Sequence, residues 1–362
     1  MSYGMASEIV PHTSVHNYEE WFATRQLHLS ADASKSDPNH LYLGVRPQCG
    51  FLTLRSLQIA LSGVHSMRGR RKLLPVHESL FKSPEAEAAY RASYEVSLRL
   101  WPTPSESIEI PTGFGVTHVV ACGTTAGAPV VLLPAMLLSA TMWYATVSGL
   151  CDRFRCYAAD FPSDIGLSVA TKPPANCSDC VAWLNELLNG LGIARASFVG
   201  ASYGSFLALN YAIAEPARVK QLVVTSPAAS LVGLWSFYPR ILLSLLLPGG
   251  SVVERILHWV FAERFSLDHP VIQQLIVGSK TLQPRLKLYP KVFSDSQLAG
   301  LSVPLYLLLG EKEVCYNPES AARRARRLMP HALVQILPEL GHLLVMECPS
   351  TVNQRILAYL QD

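Results

Sequence analysis

Ser202 stands out among the potential nucleophiles because glycine lies two residues to either side of it, in Gly200-Ala201-Ser202-Tyr203-Gly204. An apolar run at 196–199 leads into this pentapeptide, and a helical pattern through Leu207, Asn210 and Tyr211 leads out. A serine on so tight a strand-to-helix turn needs small neighbours, since the two backbones nearly touch there, and its hydroxyl is left open to a substrate. The chemistry on offer is covalent catalysis, with Ser202 Oγ attacking an acyl carbon. Among the eight cysteines, only Cys177 and Cys180 are spaced C-x-x-C. No second pair or nearby histidine completes a four-ligand metal set, so the two read as small residues in the first turn of a helix, in a reducing compartment.

The turn at Ser202 needs elements to hold it, and after Pro104 the sequence supplies them. Segments at 107–110, 116–121, 130–133, 156–160, 196–199, 222–225, 305–309 and 333–337, several of them continuous apolar runs, predict strands. Helical stretches at 140–150, 178–191, 205–214, 319–328 and 351–360 lie among and after them. This alternation predicts an α/β fold, a mostly parallel central sheet with helices on both faces. Ser83-Pro84-Glu85 predicts the start of a further helix to about Trp101, whose Tyr90, Tyr94, Leu98 and Trp101 form one apolar face.

Charged residues make up 16 per cent of the 362 residues and apolar ones 49 per cent, which excludes long disorder. A net charge of +3 is too small for the basic footprint of a nucleic-acid binder. No Asp, Glu, Lys or Arg occurs from Gly113 to Cys151 or from Gln221 to Pro239. Gly, Pro, Ser and Thr clusters interrupt both stretches, so they predict buried strands joined by turns and no membrane span. The first eleven residues lack a basic patch followed by an apolar segment, and a cytoplasmic protein is expected. Residues 1–80, with helix-like pieces near 18–29 and 52–64 and a basic cluster at 68–72, are expected to form an accessory segment. Residues 81–230 and 302–362 would form the core, and 231–301 an inserted helical cap rich in Trp, Phe and Leu.

The Gly-x-Ser-x-Gly turn, the segment Asp160-Phe161-Pro162-Ser163-Asp164-Ile165-Gly166-Leu167-Ser168, the helix at 83–101 and the order of elements resemble the α/β-hydrolase superfamily. Within it they look like esterase-like members with an inserted helical cap, and the resemblance covers roughly 107–362. It implies a triad in the chain order serine, acid, histidine. The base would be His342, in Leu337-Pro338-Glu339-Leu340-Gly341-His342 just past the last strand. There Gly341 would let the chain turn so that the imidazole faces back over the sheet. The family's usual aspartate aligns with Glu313, in Gly310-Glu311-Lys312-Glu313-Val314, and Glu311 remains the competitor. Two backbone N–H groups, of Tyr203 and Met136, would form the oxyanion hole. Before Met136 the chain has Pro134-Ala135 where the family commonly has His-Gly, and Pro134 has no N–H to donate.

The implied activity is hydrolysis of a carboxylic ester with a hydrophobic portion, through an acyl-enzyme on Ser202 and without metal or cofactor. Its partner would be that small-molecule ester. Thioester or carbon–carbon bond cleavage could use the same residues. A ligand-sensing or signalling protein on the same scaffold, with slow turnover, is the alternative from a different functional class.

Overall fold

A computed structural model describes residues 80–246, 252–261, 266–283 and 285–361. The sequence features near 18–29, 52–64 and 68–72 lie outside these residues. Helix α1 (Pro84–Leu98) comes first, followed by strands β1 (Ser105–Thr112), β2 (Gly115–Gly123) and β3 (Ala128–Leu133). Helix α2 (Tyr144–Leu150), β4 (Phe154–Ala159), the two-residue β5 (Val169–Ala170) and α3 (Cys177–Gly190) follow. Next come β6 (Ala196–Ala201), α4 (Tyr203–Ala214) and β7 (Val219–Thr225). Four helices then interrupt the alternation: α5 (Phe237–Leu246), α6 (Val252–Phe261), α7 (Pro270–Thr281) and α8 (Asp295–Ala299). The chain closes with β8 (Leu305–Gly310), α9 (Pro318–Leu328), β9 (Leu333–Leu337), α10 (Leu344–Glu347) and α11 (Pro349–Gln361).

The strands form one sheet in the order β1-β2-β4-β3-β6-β7-β8-β9, with β5 beside β2. From β4 through β9 every pairing is parallel, whereas β1–β2, β2–β4 and β2–β5 are antiparallel. This is the mostly parallel α/β sheet that the alternation predicted. Its strands β3, β6 and β8 carry no charge because both faces are covered. Val131, Phe198, Leu222, Val224 and Leu307 pack into one core with α3, α4 and α9. Their neighbours Val130, Val199, Val223 and Leu308 pack into the other with α1, α2 and α11. A strand buried on both sides has no polar side to show, and its alternation disappears into a continuous apolar run. The charge-free stretch from Gly113 to Cys151 lies in β2, β3 and α2. Among the described residues no helix is long and apolar enough to cross a membrane.

Helix α1 starts where the sequence placed it. Ser83 Oγ accepts from Ala86 N–H at 3.2 Å, and Pro84 takes the first helical position. The helix ends at Leu98, three residues early, yet Trp101 stays buried. Tyr90 and Tyr94 are fully buried, and Gln274 on α7 donates to Tyr90 Oη at 3.0 Å. The predicted helix at 140–150 divides into a 3₁₀ turn at Ala140–Trp143 and then α2. The turn is anchored by Asp160, whose Oδ1 accepts from Ala140 N–H at 2.6 Å. Strand β5 had no sequence signal, since two residues are too few to show a pattern. Cys177 and Cys180 fall in the first turn of α3, where Asn176 caps by accepting from Asp179 N–H at 2.9 Å.

Candidate active site

Ser202 sits between β6 and α4, at the carboxyl ends of the parallel strands, where α/β sheets open to ligands. Its backbone has φ 50° and ψ −105°, a left-handed conformation that costs a non-glycine residue energy. Ser202 N–H donates to Thr225 O at 2.9 Å, and Ser202 O accepts from Ala228 N–H at 3.0 Å, so the turn is held from β7. Both flanking glycines are required by close approach. A Cβ on Gly200 would lie 2.6 Å from the Gly204 carbonyl, and one on Gly204 would lie 1.9 Å from Leu133 O. Ser205 completes the turn by donating to Gly200 O at 2.7 Å and accepting from Thr225 N–H at 2.9 Å.

His342 lies in the loop after β9, with its Nε2 2.8 Å from Ser202 Oγ. The loop is clamped by Glu347, which accepts from Gly341 N–H at 2.7 Å and from Leu343 N–H at 3.1 Å. The residue of this loop in the left-handed region is Glu339, with φ 63°. Gly341 is needed for space, because a Cβ there would lie 2.9 Å from Glu347 Oε1. Glu313, after β8, puts both carboxylate oxygens 2.8 Å from His342 Nδ1, and its Oε1 also accepts from Cys315 N–H at 2.9 Å. Glu311 instead accepts from Glu339 N–H at 3.0 Å and is exposed to solvent. The structure thus joins Ser202, His342 and Glu313 in one hydrogen-bonded chain that excludes Glu311.

All three residues are buried, which makes the charge balance decisive. Burial opposes a charged imidazole, but the surrounding Cys315 sulfur and Glu313 carboxylate outweigh it and hold His342 well above the usual histidine range. Burial also pushes the Cys315 thiol up. A neutral thiol carries no charge at neutral pH, so the Glu313 carboxylate is the partner that stabilises the imidazolium.

The N–H groups of Met136 and Tyr203 have no hydrogen-bond acceptor among the described residues. Tyr203 owes this to its place at the first position of α4, where the helix offers no partner. The Met136 loop is held by Asp164, a residue the sequence did not single out. Asp164 Oδ2 accepts from Leu137 N–H at 3.0 Å, and Leu137 itself has φ 62°. Burial raises the Asp164 carboxyl to about 6, against the opposing effect of bonds from Leu137 and Ile165 N–H. If the Met136 N–H receives an oxyanion, Asp164→Asn is expected to lower kcat about tenfold with little change in KM, because one misplaced donor of that kind is felt mainly in the transition state. Steady-state kinetics on one ester would check this, and an unchanged kcat would show that the loop holds its shape without the carboxylate.

A cavity of about 140 Å³ opens over Ser202 and His342, lined by Ala135, Met136, Leu138, Phe237, Leu257 and Leu275 among others. Among the described residues no Asp, Glu, Lys or Arg lines it, and His342 and Cys315 are its ionisable side chains. The α5, α6 and α7 helices each contribute apolar side chains to its wall. A second serine–histidine–carboxylate chain, Ser107–His118–Asp160, links β1, β2 and the end of β4. Its serine lies within a strand instead of at a helix start. Its Asp160 also accepts from Tyr94, Ala140 and Leu167, as a structural tie would.

Residues 130–355 match the family model described as Alpha/beta hydrolase family. The chain is similar to carboxylesterase YbfK of Bacillus subtilis, with 32% identity over 288 residues that cover 77% of this chain and 96% of that one. It is also similar to an uncharacterized carboxylesterase, nap, of the same organism, with 34% identity over 75% of this chain and 91% of the relative. The crystal structure of naproxen esterase from Bacillus subtilis superposes with a TM-score of 0.71 at 31% identity, covering 77% of this chain and 99% of that one. Sheet order, the serine turn and these matches agree, and the chain belongs to the alpha/beta hydrolase family.

Proposed function

We propose that the protein hydrolyses carboxylic esters with an apolar acyl or alcohol portion, through an acyl-enzyme on Ser202. The observation that carries this reading is the chain Ser202 Oγ, His342 Nε2, His342 Nδ1, Glu313, with each link at 2.8 Å, opening onto an apolar cavity. The carboxylesterases among the relatives support the bond class.

In the first half-reaction His342 Nε2 takes the proton from Ser202 as Oγ bonds to the ester carbonyl carbon. Glu313 holds the ring with Nε2 facing the serine and stabilises the imidazolium that forms. The carbonyl oxygen becomes an oxyanion, which the N–H groups of Met136 and Tyr203 receive. Collapse breaks the carbon–oxygen bond to the alcohol, which leaves with the proton from His342. Water then repeats the sequence on the acyl-enzyme, releasing the acid and freeing Ser202. Helices from 231–301 act as the cap, placing Phe237, Leu257 and Leu275 over the acyl or alcohol group.

A cavity with no lysine or arginine among the described residues of its wall discriminates against charge. A carboxylate moved into it loses hydration and gains no ion pair. Neutral aryl esters are expected to exceed isosteric esters bearing a free carboxylate on the buried portion by at least about 100-fold in kcat/KM. A fluorophosphonate should label Ser202 alone among the serines. Labelling elsewhere, or equal rates for neutral and charged esters, would remove the respective part of the proposal. Rapid multiple turnover would also separate this reading from a slow ligand sensor.

A further inference from the structure

The tertiary structure gathers three of the scattered cysteines into one cluster away from Ser202. Cys122 ends β2's apolar run, Cys151 follows α2, and Cys156 lies on β4 directly opposite Cys122 across the antiparallel pair. Their sulfurs all lie within 4.8 Å of one another, and all three residues are buried. Cys122 Sγ and Cys151 Sγ are 2.7 Å apart. That separation is shorter than van der Waals contact and closer to the covalent sulfur–sulfur distance of about 2.05 Å.

The backbone is built for this approach. Cys151 O accepts from Thr124 N–H at 3.2 Å, which pins the end of α2 to the residues following Cys122. Gly123, between them, has φ +89°, and a Cβ there would lie 3.0 Å from Cys151 O. Bond formation between the two sulfurs therefore needs a short side-chain movement and no rearrangement of the sheet.

We propose that Cys122 and Cys151 are a redox pair that closes to a disulfide in the presence of a hydroperoxide, with Cys156 placed to exchange into the bond. Cys151 is the attacking sulfur. It is the most exposed of the three, at 7%, and the hydrogen bond from Cys122 holds its thiol below the usual range, whereas Cys122 and Cys156 are pushed up. Its thiolate attacks the peroxide oxygen, the O–O bond breaks, and Cys151 becomes a sulfenic acid as the peroxide is reduced to the alcohol or water. The Cys122 sulfur then displaces the hydroxyl, which leaves as water with the thiol proton, and the disulfide is formed. The bond joins residues 29 apart in sequence, so it restricts the unfolded chain at a point the folded chain already holds close.

The test treats the whole protein with hydrogen peroxide, alkylates the remaining thiols under denaturing conditions and maps tryptic peptides without reduction. Trypsin leaves Cys122 and Cys151 in one peptide, 100–153, and Cys156 in another, 156–195, because it does not cut Lys172–Pro173; fragmentation separates Cys156 from Cys177 and Cys180 in that second peptide. The expected product is the first peptide lighter by about 2 Da and unalkylated, beside an alkylated Cys156. The thermal midpoint should rise by about 5 to 10 °C and return on reduction. In Cys122→Ala, peroxide should instead link the two peptides through Cys151 and Cys156. Full alkylation of Cys122 and Cys151 after the half-buried thiols Cys177 and Cys348 have oxidised would overturn the proposal. So would a sulfinic acid on Cys151 without a bond, or a soft metal held by the three thiols in the purified protein. The peptide map uses the wild-type chain, so a variant that fails to fold leaves the test intact.

Discussion

Ser202→Ala is expected to lower kcat/KM on a neutral aryl ester by about 10⁴-fold or more while leaving the thermal midpoint within a few degrees. The loss is large because no other group among the described residues stands 2.8 Å from His342 Nε2, so removing Oγ removes both the nucleophile and the proton that the histidine accepts. The fold survives because the strained turn is held through the backbone. Ser202 N–H and Ser202 O keep their bonds to Thr225 and Ala228, and the packing of Gly200 against Gly204 involves no atom of the serine side chain. Residual rate would come from the oxyanion donors and the cavity. Comparable rates in wild type and variant, measured on the same preparation with matched thermal midpoints, would end the serine mechanism.

Glu313→Gln should have the second largest effect, a fall in kcat of about 10³ to 10⁴ accompanied by a shift in pH dependence. Catalysis needs the neutral imidazole as base, so kcat/KM rises as pH rises through the pKa of His342. With Glu313 present that pKa lies well above the ordinary value, and the rising limb should lie on the alkaline side of about 6.5. Replacing the carboxylate with an amide removes the charge that favours the imidazolium and leaves burial, which opposes it. The limb then moves to lower pH even as its plateau falls. Stability follows the same sign. A raised histidine pKa contributes stability that is complete below the unfolded value of about 6.5 and is lost as pH rises through the folded value. The variant should therefore lose more stability at pH 6 than at pH 9. Glu311→Gln, whose side chain bonds Glu339 N–H, should change neither the plateau nor the limb appreciably. A larger loss in Glu311→Gln than in Glu313→Gln would reverse the assignment of the acid.

Much of this was legible in the sequence because it was local or periodic. Gly200 and Gly204 report that two backbones must nearly touch, and the structure places the forbidden Cβ atoms at 2.6 and 1.9 Å from their neighbours. Apolar runs report strands covered on both faces, and Ser83-Pro84 reports a helix start. Each depends on a few neighbouring residues, so order along the chain is enough. The charge-poor composition likewise anticipated strands buried on both faces, which the two cores show.

What required the tertiary structure was every relation between residues distant in sequence. Glu311 and Glu313 are equivalent acids on paper. The loop after β8 separates them by aiming one at Glu339 N–H and the other at His342. Asp164, Ser205 and Glu347 carry no signal as single residues. They matter because they satisfy backbone N–H or carbonyl groups at Leu137, Gly200 and Gly341. The cysteines at 122, 151 and 156 looked dispersed until β2 and β4 paired and the end of α2 brought the third beside them. The sequence by itself determined which residue could be the nucleophile and which segments would be buried, since those follow from local sterics and apolar patterning. Only the tertiary structure decided which acid faces the histidine and which thiols meet, because hydrogen bonds and sulfur contacts form only where the packed sheet sets the distance.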